Sequence, residues 1–536
     1  AELYPCGLQH QMTVNEKGEI IPKKRVTHDL SNRKKHGKSI NQRVNEETLP
    51  PTSYGFALMR FLHLIHHIRW THPNKRILMM KTDFDKAYRR LHTKPRIAAK
   101  CIAAWETRNE ETETNKFIAS VLTRLPFGST PAPAEFSICS EMIFDLASDL
   151  LHCKGWDPTK IKHPHTHLIE DPERLPDEIQ FTKALEADVK LPPEQEAGTE
   201  GYIDDGAVAT IDDEDDLNQI ERAKHALPMA THLVFRPNNP DDEPLPRPDP
   251  LSIRKLKAEA RLRESITFLG WEIDSRRMTI KLPTEKLKIW TKSIEDLLQA
   301  EVAHFEEVQQ TLIGRLNHVG YIIPNARNFL NRIRRLEYAA DKYGSAKIHT
   351  STIKDLQLWK IFLEEANKGL SINAVVFRRP TSIGFSDASE WGMGGYCLKT
   401  GRAWRYKFTK RERETFTLNL KEFIASVITE EVNLPRDDLP NPCMLNIGDS
   451  SCTTGWLHKS NFDPIQAPMH EDVARRHANT IISRQACNYS QHIPGLTNTV
   501  ADCLSRDFHL SNDELIAMLF DTKPLYLPEQ MQIEEI

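Results

Sequence analysis

Cysteines are few in this sequence and follow no regular spacing. Nine occur in 536 residues, and no two of them form a C-x-x-C pair. Zinc modules built on cysteine pairs and disulfide-stapled frameworks both depend on such spacing, so neither is expected. The cysteine usage therefore predicts a reducing compartment.

Long hydrophobic runs are also missing. The most apolar stretch, residues 56–70, contains two Arg and three His. A membrane-spanning helix needs about 20 predominantly apolar residues, so we expect a soluble protein with no membrane partner. Residue 1 is Ala and no basic-then-apolar signal follows it, which favours a fragment or a processed chain.

The sequence has no overall excess of charge of one sign. Lys plus Arg number 71 against 75 Asp plus Glu, a net charge of −4, which excludes a uniformly basic polyanion binder. Locally the charge is uneven. Residues 22–43 carry a net +7 and residues 311–347 a net +5, whereas residues 185–216 carry a net −11. Such blocks are either solvated surfaces or, when basic, candidate phosphate contacts.

The length predicts roughly three to five compact units. Residues 154–200 and 236–250 are rich in Pro and charge and predict surface insertions. The histidines at 163, 165 and 167 in the first insertion are predicted to be solvent-exposed rather than metal ligands. Residues 283–365 have helical periodicity and strand patterns return at Ser382, so a domain boundary is expected near 370–380.

Three polar motifs in the first half of the chain lie at the ends of predicted strands or at the beginning of a predicted helix. KTDFDKAYRRL (81–91) follows an apolar run that predicts a buried strand, and LPFGSTPAPAEF (125–136) opens an amphipathic helix. GYIDDG (201–206) places two Asp between short apolar runs, which suits the tip of a hairpin. A lone acidic turn is weak evidence, but three motifs together are specific.

In this order the three motifs resemble the palm and fingers of reverse transcriptases from retrotransposons, of the long-terminal-repeat or tyrosine-recombinase type. Residues 23–32 resemble the fingers strand of that family, and residues 268–271 (FLGW) resemble its primer grip. The resemblance implies a multidomain α+β and α/β chain with a right-hand polymerase of fingers, palm and thumb, followed by a connection.

The resemblance also implies a role for individual residues. Asp83 and Asp204, supported by Asp205, would bind two Mg²⁺ ions, with Mn²⁺ as an alternative, because hard cations prefer carboxylate oxygens from separate strands. Arg25 and Lys24 would contact the triphosphate, and Tyr88 would exclude a ribose 2′-hydroxyl. The remaining implied contacts are the nucleotide pocket residues Phe127 and Gly128 and the primer grip Phe268, Leu269, Gly270 and Trp271.

Two groups of basic side chains are further candidates for functional contacts with phosphate groups. The role of protonating pyrophosphate is open among Lys255, Lys257, Arg261 and Arg263. A basic stretch in the predicted thumb and connection would suit the phosphates of a duplex; it consists of Arg327, Arg332, Arg334 and Arg335.

Four acidic residues beyond residue 380 form a second candidate set: Asp387, Glu422, Asp449 and Asp502. The strings DAS-x-x-G-x-G-G and H-x-P-G-x-x-N-x-x-A-D-x-L-S-R, the latter beginning at His492, resemble the ribonuclease H domains of retroelement polymerases. The resemblance implies that the four carboxylates bind two metal ions and that His492 assists proton transfer or product release.

We therefore expect an RNA-directed DNA polymerase with an attached ribonuclease H. Its expected partners are an RNA template, a DNA primer, RNA:DNA hybrid and dNTPs, and its expected location is intracellular, in the cytoplasm, in virus-like particles or in the nucleus. The expected divisions are residues 1–75 (N-terminal segment and fingers), 76–275 (palm and fingers), 276–378 (thumb and connection), 379–510 (ribonuclease H-like) and 511–536 (tail).

Two alternatives stay open. One is a catalytically inactive polymerase-like scaffold that binds nucleic acid, against which the presence of all seven carboxylates argues. The other is a metal nuclease joined to an unrelated N-terminal binding module, against which the LPFG and YIDD motifs argue.

Overall fold

The computed structural model describes residues 3–15, 17, 19–32, 37–108, 115–176, 179–189, 191–192, 195–213, 215–235, 249–304, 310–434, 440–459 and 468–536. Residues 33–35 of the first basic block and 236–248 of the second predicted insertion lie outside the described residues. The chain divides into two compact units. The first consists of Ala1–Ala184 and Lys190–Met278, and the second consists of Leu185–Val189 and Thr279–Ile536. It is a mixed α/β protein with more than one unit.

The first unit is built from short strands and a few longer helices. Its strands are β1 Leu3–Tyr4, β2 Cys6–Val14, β3 Ile20–His28, β4 Ile77–Asp83, β5 Ile102–Arg108, β6 Asn115–Val121, β7 Ala197–Tyr202, β8 Asp205–Ile211, β9 Ser265–Phe268 and β10 Trp271–Asp274. Its helices are α1 Ala57–Thr71, α2 Pro95–Ala98, α3 Ala132–His152, α4 Leu217–Phe235 and α5 Ile253–Glu259. Single 3-10 turns occur at Asn41–Arg43, Glu46–Thr48, Tyr54–Phe56, Ala87–Arg90 and Thr166–Leu168.

An antiparallel sheet in the order β4-β8-β7 forms the centre of this unit. Alternate residues of a strand face opposite sides of a sheet, and both faces are covered here. Leu78, Met80 and Val208 belong to a core shared with α3 and α4. Leu64 of α1 lies against Gly198 on the other face. The apolar run of β4 is therefore explained by burial on both sides.

Helix α3 begins where the sequence predicts. Pro131 precedes its first residue and Pro133 stands in its first turn, where a missing N–H costs no helical hydrogen bond. Phe136 and Ile143, two of the predicted apolar positions, are fully buried. The helix thus presents one continuous apolar face to the sheet.

The first predicted insertion is not a surface loop throughout. Trp156 and Ile169 are each 7% exposed and belong to the same core as α3. His163 is buried and His165 is half-buried, while His167 is exposed. The prediction of solvent-exposed histidines is therefore wrong for the first two, because this segment folds back onto α4 and the core.

The second unit combines a helical segment with a large sheet. Its strands are β11 Thr279–Lys281, β12 Val302–His304, β13 Ser345–Lys347, β14 Leu370–Ser371, β15 Ser382–Ala388, β16 Gly392–Cys397, β17 Arg402–Lys407, β18 Cys443–Gly448, β19 Cys487–His492 and β20 Gln532–Glu535. Its helices are α6 Thr284–Gln299, α7 Gln310–Ile322, α8 Asn331–Tyr343, α9 Thr350–Lys368, α10 Ile372–Val375, α11 Lys410–Thr415, α12 Leu418–Asn433, α13 Ser451–Lys459, α14 Pro468–Ser483, α15 Thr499–Arg506 and α16 Asn512–Thr522. The 3-10 segments are Pro324–Leu330 and Gly495–Thr497.

The large sheet has the order β19-β18-β15-β16-β17-β20. Strands β15, β16 and β17 form an antiparallel meander, β18 and β19 run parallel to β15, and β20 runs parallel to β17. Leu504 of α15 lies against Gly394 and Thr429 of α12 against Gly395. Successive strand residues point to opposite faces, so α12 and α15 cover the two faces of the sheet.

The helical segment 276–378 groups mostly with the large sheet rather than forming a unit of its own. One reason is a buried ion cluster. Arg332 of α8 and Arg475 of α14 each lie 3.0 Å from the fully buried Asp355 of α9, and Arg332 also contacts Glu471. Arg332 is therefore paired inside the unit, whereas Arg334 and Arg335 of the same basic stretch are exposed.

None of the helices in the described part of the chain combines the length and the apolar content that a membrane span requires.

Candidate active sites

The three acidic residues of the first set lie at one edge of the β4-β8-β7 sheet. Asp83, the last residue of β4, lies directly opposite Asp205, the first residue of β8. Asp204 stands in the turn between β7 and β8, and its carbonyl accepts a hydrogen bond of 3.0 Å from the Phe84 N–H. Residues far apart in the sequence are therefore brought together by strand register.

The turn that carries Asp204 is tight and strained. Tyr202 pairs with Asp205, so Ile203 and Asp204 form a two-residue hairpin loop. Ile203 has φ +56°, which is unfavourable for a β-branched residue and is maintained only where the surroundings determine it. A Cβ atom on Gly201 would collide with the ring of Phe144, so the hairpin lies directly on α3. This close packing holds the acidic turn in place.

The charges at this edge repel one another. Burial raises the pKa of Asp204, while burial together with the charge of Asp204 raises the pKa of Asp205 to about 6. The Lys255 ammonium contacts the carboxylate of Asp83. Asp204 and Asp205, whose pKa values are raised, together with the half-buried Asp83 form a set of oxygen donors that suits a hard divalent cation, since the bound ion would relieve the repulsion between Asp204 and Asp205.

The long hairpin of β2 and β3 decides which basic residues face this edge. Arg25 pairs with Gln9 and Lys24 with His10, so the two neighbours point to opposite faces of the ribbon. The positive charge of Arg25 offsets a small part of the rise that burial causes in the pKa of Asp204, so its guanidinium is on the side of the carboxylates. Lys23 shares that face with Arg25. Lys24, which the sequence pairs with Arg25, therefore lies on the opposite face of the hairpin from Arg25, whereas Lys23 lies on the same face.

An aromatic surface lies beside the acidic turn. The rings of Tyr88 and Phe127 are 4.8 Å apart, and Tyr88 also packs edge-on against Phe136 at 5.7 Å. Burial, with a smaller contribution from Asp204, raises the pKa of Tyr88 to about 12. The tyrosine therefore keeps its proton at neutral pH while lying close to the carboxylates.

The loop that carries Phe127 is held from the side of β3. Gly128 has φ +91°, and a Cβ atom there would collide with the carbonyl oxygen of His28, so only glycine fits. The side chain of Asn41 donates to the Gly128 carbonyl at 2.8 Å and accepts from the Thr130 N–H at 3.0 Å. Asn41 was missed by sequence reasoning because no local pattern marks it.

The predicted primer grip needs a correction. Phe268 and Trp271 are almost completely buried, and Phe268 packs against Phe61 of α1 at 5.3 Å. Leu269 and Gly270 form the turn between β9 and β10, with φ of +47° and +79°. Phe268 and Trp271 therefore belong to the core, and of the four residues only Leu269 and Gly270 are partly exposed.

Three of the four basic candidates after the acidic turn differ in the acidic residues that they contact. Lys255 contacts Asp83, as described above. Arg261 lies 3.4 Å from both Glu170 and Glu173, and Arg263 lies 3.1 Å from Glu173. Lys255 is thus the member of the group whose contact with a candidate catalytic carboxylate is established.

The second set of carboxylates converges on the large sheet. Asp387 near the end of β15, Glu422 on α12 and Asp449 just after β18 line one pocket together with Ser386, Asn446 and Ser450. Asp502 on α15 is close enough for its charge to raise the pKa of Asp387. Four elements of the second unit therefore deliver one carboxylate each.

This second set is also electrostatically strained. Burial, reinforced by Asp449 and Asp502, raises the pKa of Asp387 to about 6, and burial raises the pKa values of Glu422 and Asp502. Arg506 lies 2.7 Å from Asp502 and offsets part of the charge. As at the first set, the oxygen donors fit divalent cations.

Polar side chains contact one carboxylate and two backbone carbonyls in or next to this set. The Ser505 hydroxyl donates to Asp387 at 2.5 Å, and the buried Asn498 amide donates to the Ser386 carbonyl at 3.0 Å. The exposed His492 lies 3.0 Å from the Asp449 carbonyl through Nε2. Ser505 was missed from the sequence, although its position three residues after Asp502 on one helix places both on the same face.

No family model and no curated protein matches the chain. Among solved structures, the crystal structure of RNase H1 from the halophilic archaeon Halobacterium salinarum NRC-1 is similar at 18% identity and a TM-score of 0.19. The match covers 24% of this chain and 97% of that chain. A similarity at this TM-score carries no functional argument, so function must be argued from the two carboxylate sets themselves.

Proposed function

We propose that this chain is an RNA-directed DNA polymerase with an attached ribonuclease H activity. The observation that carries the proposal is the register of Asp83 opposite Asp205, with Asp204 in the adjoining turn. The side chains of Arg25 and Tyr88, whose charges or rings lie close to Asp204, would supply a phosphate contact and a sugar contact.

Each residue of the first set then has a defined task. Asp83, Asp204 and Asp205 would hold Mg²⁺, which when bound supplies activation of the attacking hydroxyl and stabilisation of the leaving oxygen. Arg25 would bind the triphosphate, because a guanidinium pairs bidentately with phosphate. Tyr88 would contact the sugar of the incoming dNTP from the side of Phe127. Lys255 would neutralise Asp83 when no substrate is bound.

The second set supports a separate hydrolytic activity. In the large sheet β15, β16 and β17 form an antiparallel meander with β18 and β19 parallel to β15, and four carboxylates lie beside β15 and β18. Asp387, Glu422, Asp449 and Asp502 would hold the ions, and His492 would move a proton near Asp449. The substrate would be the RNA strand of an RNA:DNA hybrid.

Primer extension tests the polymerase proposal directly. The purified chain is supplied with Mg²⁺, dNTPs and a DNA primer annealed to either an RNA or a DNA template. A labelled RNA:DNA hybrid is followed in parallel for cleavage. We expect template-directed extension on RNA and cleavage of the RNA strand. Absence of incorporation on both templates by well-folded protein would instead favour a polymerase-like scaffold.

Tyr88 offers a test of the sugar contact. Tyr88→Ala is expected to raise incorporation of ribonucleotides relative to deoxyribonucleotides by about 10–100-fold, since removing the ring opens space for a 2′-hydroxyl. Single-nucleotide extension with matched dNTP and rNTP series measures the ratio. Tyr88→Phe is the control, because it keeps the ring. Unchanged sugar selectivity in the alanine variant would rule out a role for Tyr88 in excluding the ribose 2′-hydroxyl.

A further inference from the structure

A cluster of metal-ligating side chains lies outside both carboxylate sets. His165 Nε2 is 2.5 Å from an oxygen of Asp249, and His232 Nε2 is 3.7 Å from the other oxygen. One ligand atom from each of the three residues lies within 4.8 Å of the others. Within the described part of the chain, no other group of three or more His, Cys, Asp and Glu side chains is gathered in this way.

The three side chains come from three separate segments of the first unit. His165 belongs to the first insertion, His232 to the last turn of α4, and Asp249 to the segment before α5. The side chain of His232 is 5% exposed, whereas those of His165 and Asp249 are 19% and 27% exposed. The cluster is thus mostly enclosed by protein, and parts of the His165 and Asp249 side chains are exposed.

Neighbouring groups fix the orientation of the cluster. His163 accepts the His165 N–H through Nδ1 at 3.2 Å, and its Nε2 lies 3.0 Å from His225 Nδ1. One oxygen of Asp249 accepts the Leu251 N–H at 2.9 Å. The His163 ring also stacks on His232, at 6.2 Å between centroids. Hydrogen-bonded neighbours of this kind orient the ligands of protein metal sites.

We propose that His165, His232 and Asp249 form a binding site for a divalent transition-metal ion, with Zn²⁺ as the expected occupant. Two imidazole nitrogens and one carboxylate oxygen are a donor set that Zn²⁺ takes readily. Tetrahedral bonds of about 2.0–2.1 Å would place the donor atoms about 3.3 Å apart, so only small side-chain shifts are needed. A water molecule would complete the tetrahedron.

The position of the site suggests what the ion does. Asp249 directly precedes a segment that pairs with the residues around Asp83: Asp85 N–H donates to the Pro250 carbonyl at 2.8 Å, and Ser252 N–H donates to the Asp83 carbonyl at 2.9 Å. An ion that joins Asp249 to the insertion and to α4 would anchor this segment. The three ligands are therefore positioning residues for the end of β4.

Metal content of the full chain tests the site without reference to activity. The protein is equilibrated with a small molar excess of Zn²⁺ and a large excess of Mg²⁺, which occupies the hard-oxygen sites, and bound zinc is measured after desalting. We expect one zinc per chain. His165→Ala and Asp249→Asn should weaken zinc affinity at least about 10-fold. The matched control His167→Ala removes an exposed histidine of the same segment and should bind zinc normally.

Two results would overturn the site. One is wild-type protein that retains no stoichiometric zinc, and the other is retention by both variants at the wild-type level. The cluster would then be an ion pair between His165 and Asp249. If the variants fail to fold, the visible spectrum of the wild-type protein loaded with Co²⁺ decides between a metal site and an ion pair, because four-coordinate Co²⁺ with nitrogen and oxygen ligands absorbs intensely. If the protein binds zinc but synthesises no DNA, the metal site is supported and only the proposed polymerase activity is rejected.

Discussion

Asp204→Asn is expected to reduce DNA synthesis on a primed RNA template by at least about 1,000-fold, equivalent to about 4 kcal/mol of transition-state stabilisation. The asparagine keeps the shape of the side chain and its place in the two-residue turn, but it removes the charge that would bind Mg²⁺. Cleavage of an RNA:DNA hybrid should remain close to wild type, because Asp204 lies in the first unit and the second carboxylate set lies in the other.

Asp215→Asn is the control for this substitution. It makes the same change of charge at an exposed position in the same acidic stretch, beyond the end of β8. Primer extension and hybrid cleavage are measured on all three proteins at equal concentration. If Asp204→Asn removed both activities in a folded protein, the two carboxylate sets would not act independently and the assignment of separate sites would be wrong.

Glu422→Gln is expected to have the converse effect, a loss of hybrid cleavage of at least about 1,000-fold with primer extension retained. Glu422 reaches the pocket from α12, and burial has raised its pKa. The glutamine retains the size of the side chain and one oxygen donor, but a neutral amide is a much weaker ligand for a divalent cation. A labelled hybrid, followed on a denaturing gel, measures the cleavage rate.

Glu431→Gln provides the control on the same helix. Glu431 pairs with the exposed Arg476 at 2.6 Å, and surface pairs of this kind contribute about 0–1 kcal/mol to stability. Its loss should leave both activities unchanged. Hybrid cleavage at the wild-type rate by the Glu422 variant would remove Glu422 from the site and leave the pocket to another function.

Much of the local structure around the candidate sites could be predicted from the sequence. An apolar run ending in Lys-Thr-Asp predicts a buried strand with a carboxylate at its end, and β4 ends at Asp83. The glycines around the acidic pair predict a tight hairpin, and β7 and β8 form one. These features follow from short-range rules, since side-chain alternation and turn geometry depend on neighbouring residues.

Predictions that depend on distant packing were less successful. The string FLGW identifies a turn, but burial of Phe268 and Trp271 results from their packing in the core, where Phe61 lies against Phe268. Strand alternation in the β2–β3 hairpin decides which of Lys23 and Lys24 lies on the same face as Arg25. A shift of one residue reverses the face of every side chain, so a prediction by resemblance alone could not decide it.

The sequence by itself determined which residue types are present and how they are spaced: the seven carboxylates, the strand that ends at Asp83, and the acidic hairpin. Only the tertiary structure decided which distant residues meet. It brought Ser505 to Asp387, Lys255 to Asp83, and His165 to His232 and Asp249. The physical reason is that local patterning selects strands, helices and turns, whereas burial and register between separated segments select the contacts. The Pro-rich sequence therefore predicts that its histidines are exposed, and only the fold shows that one of them packs against a helix.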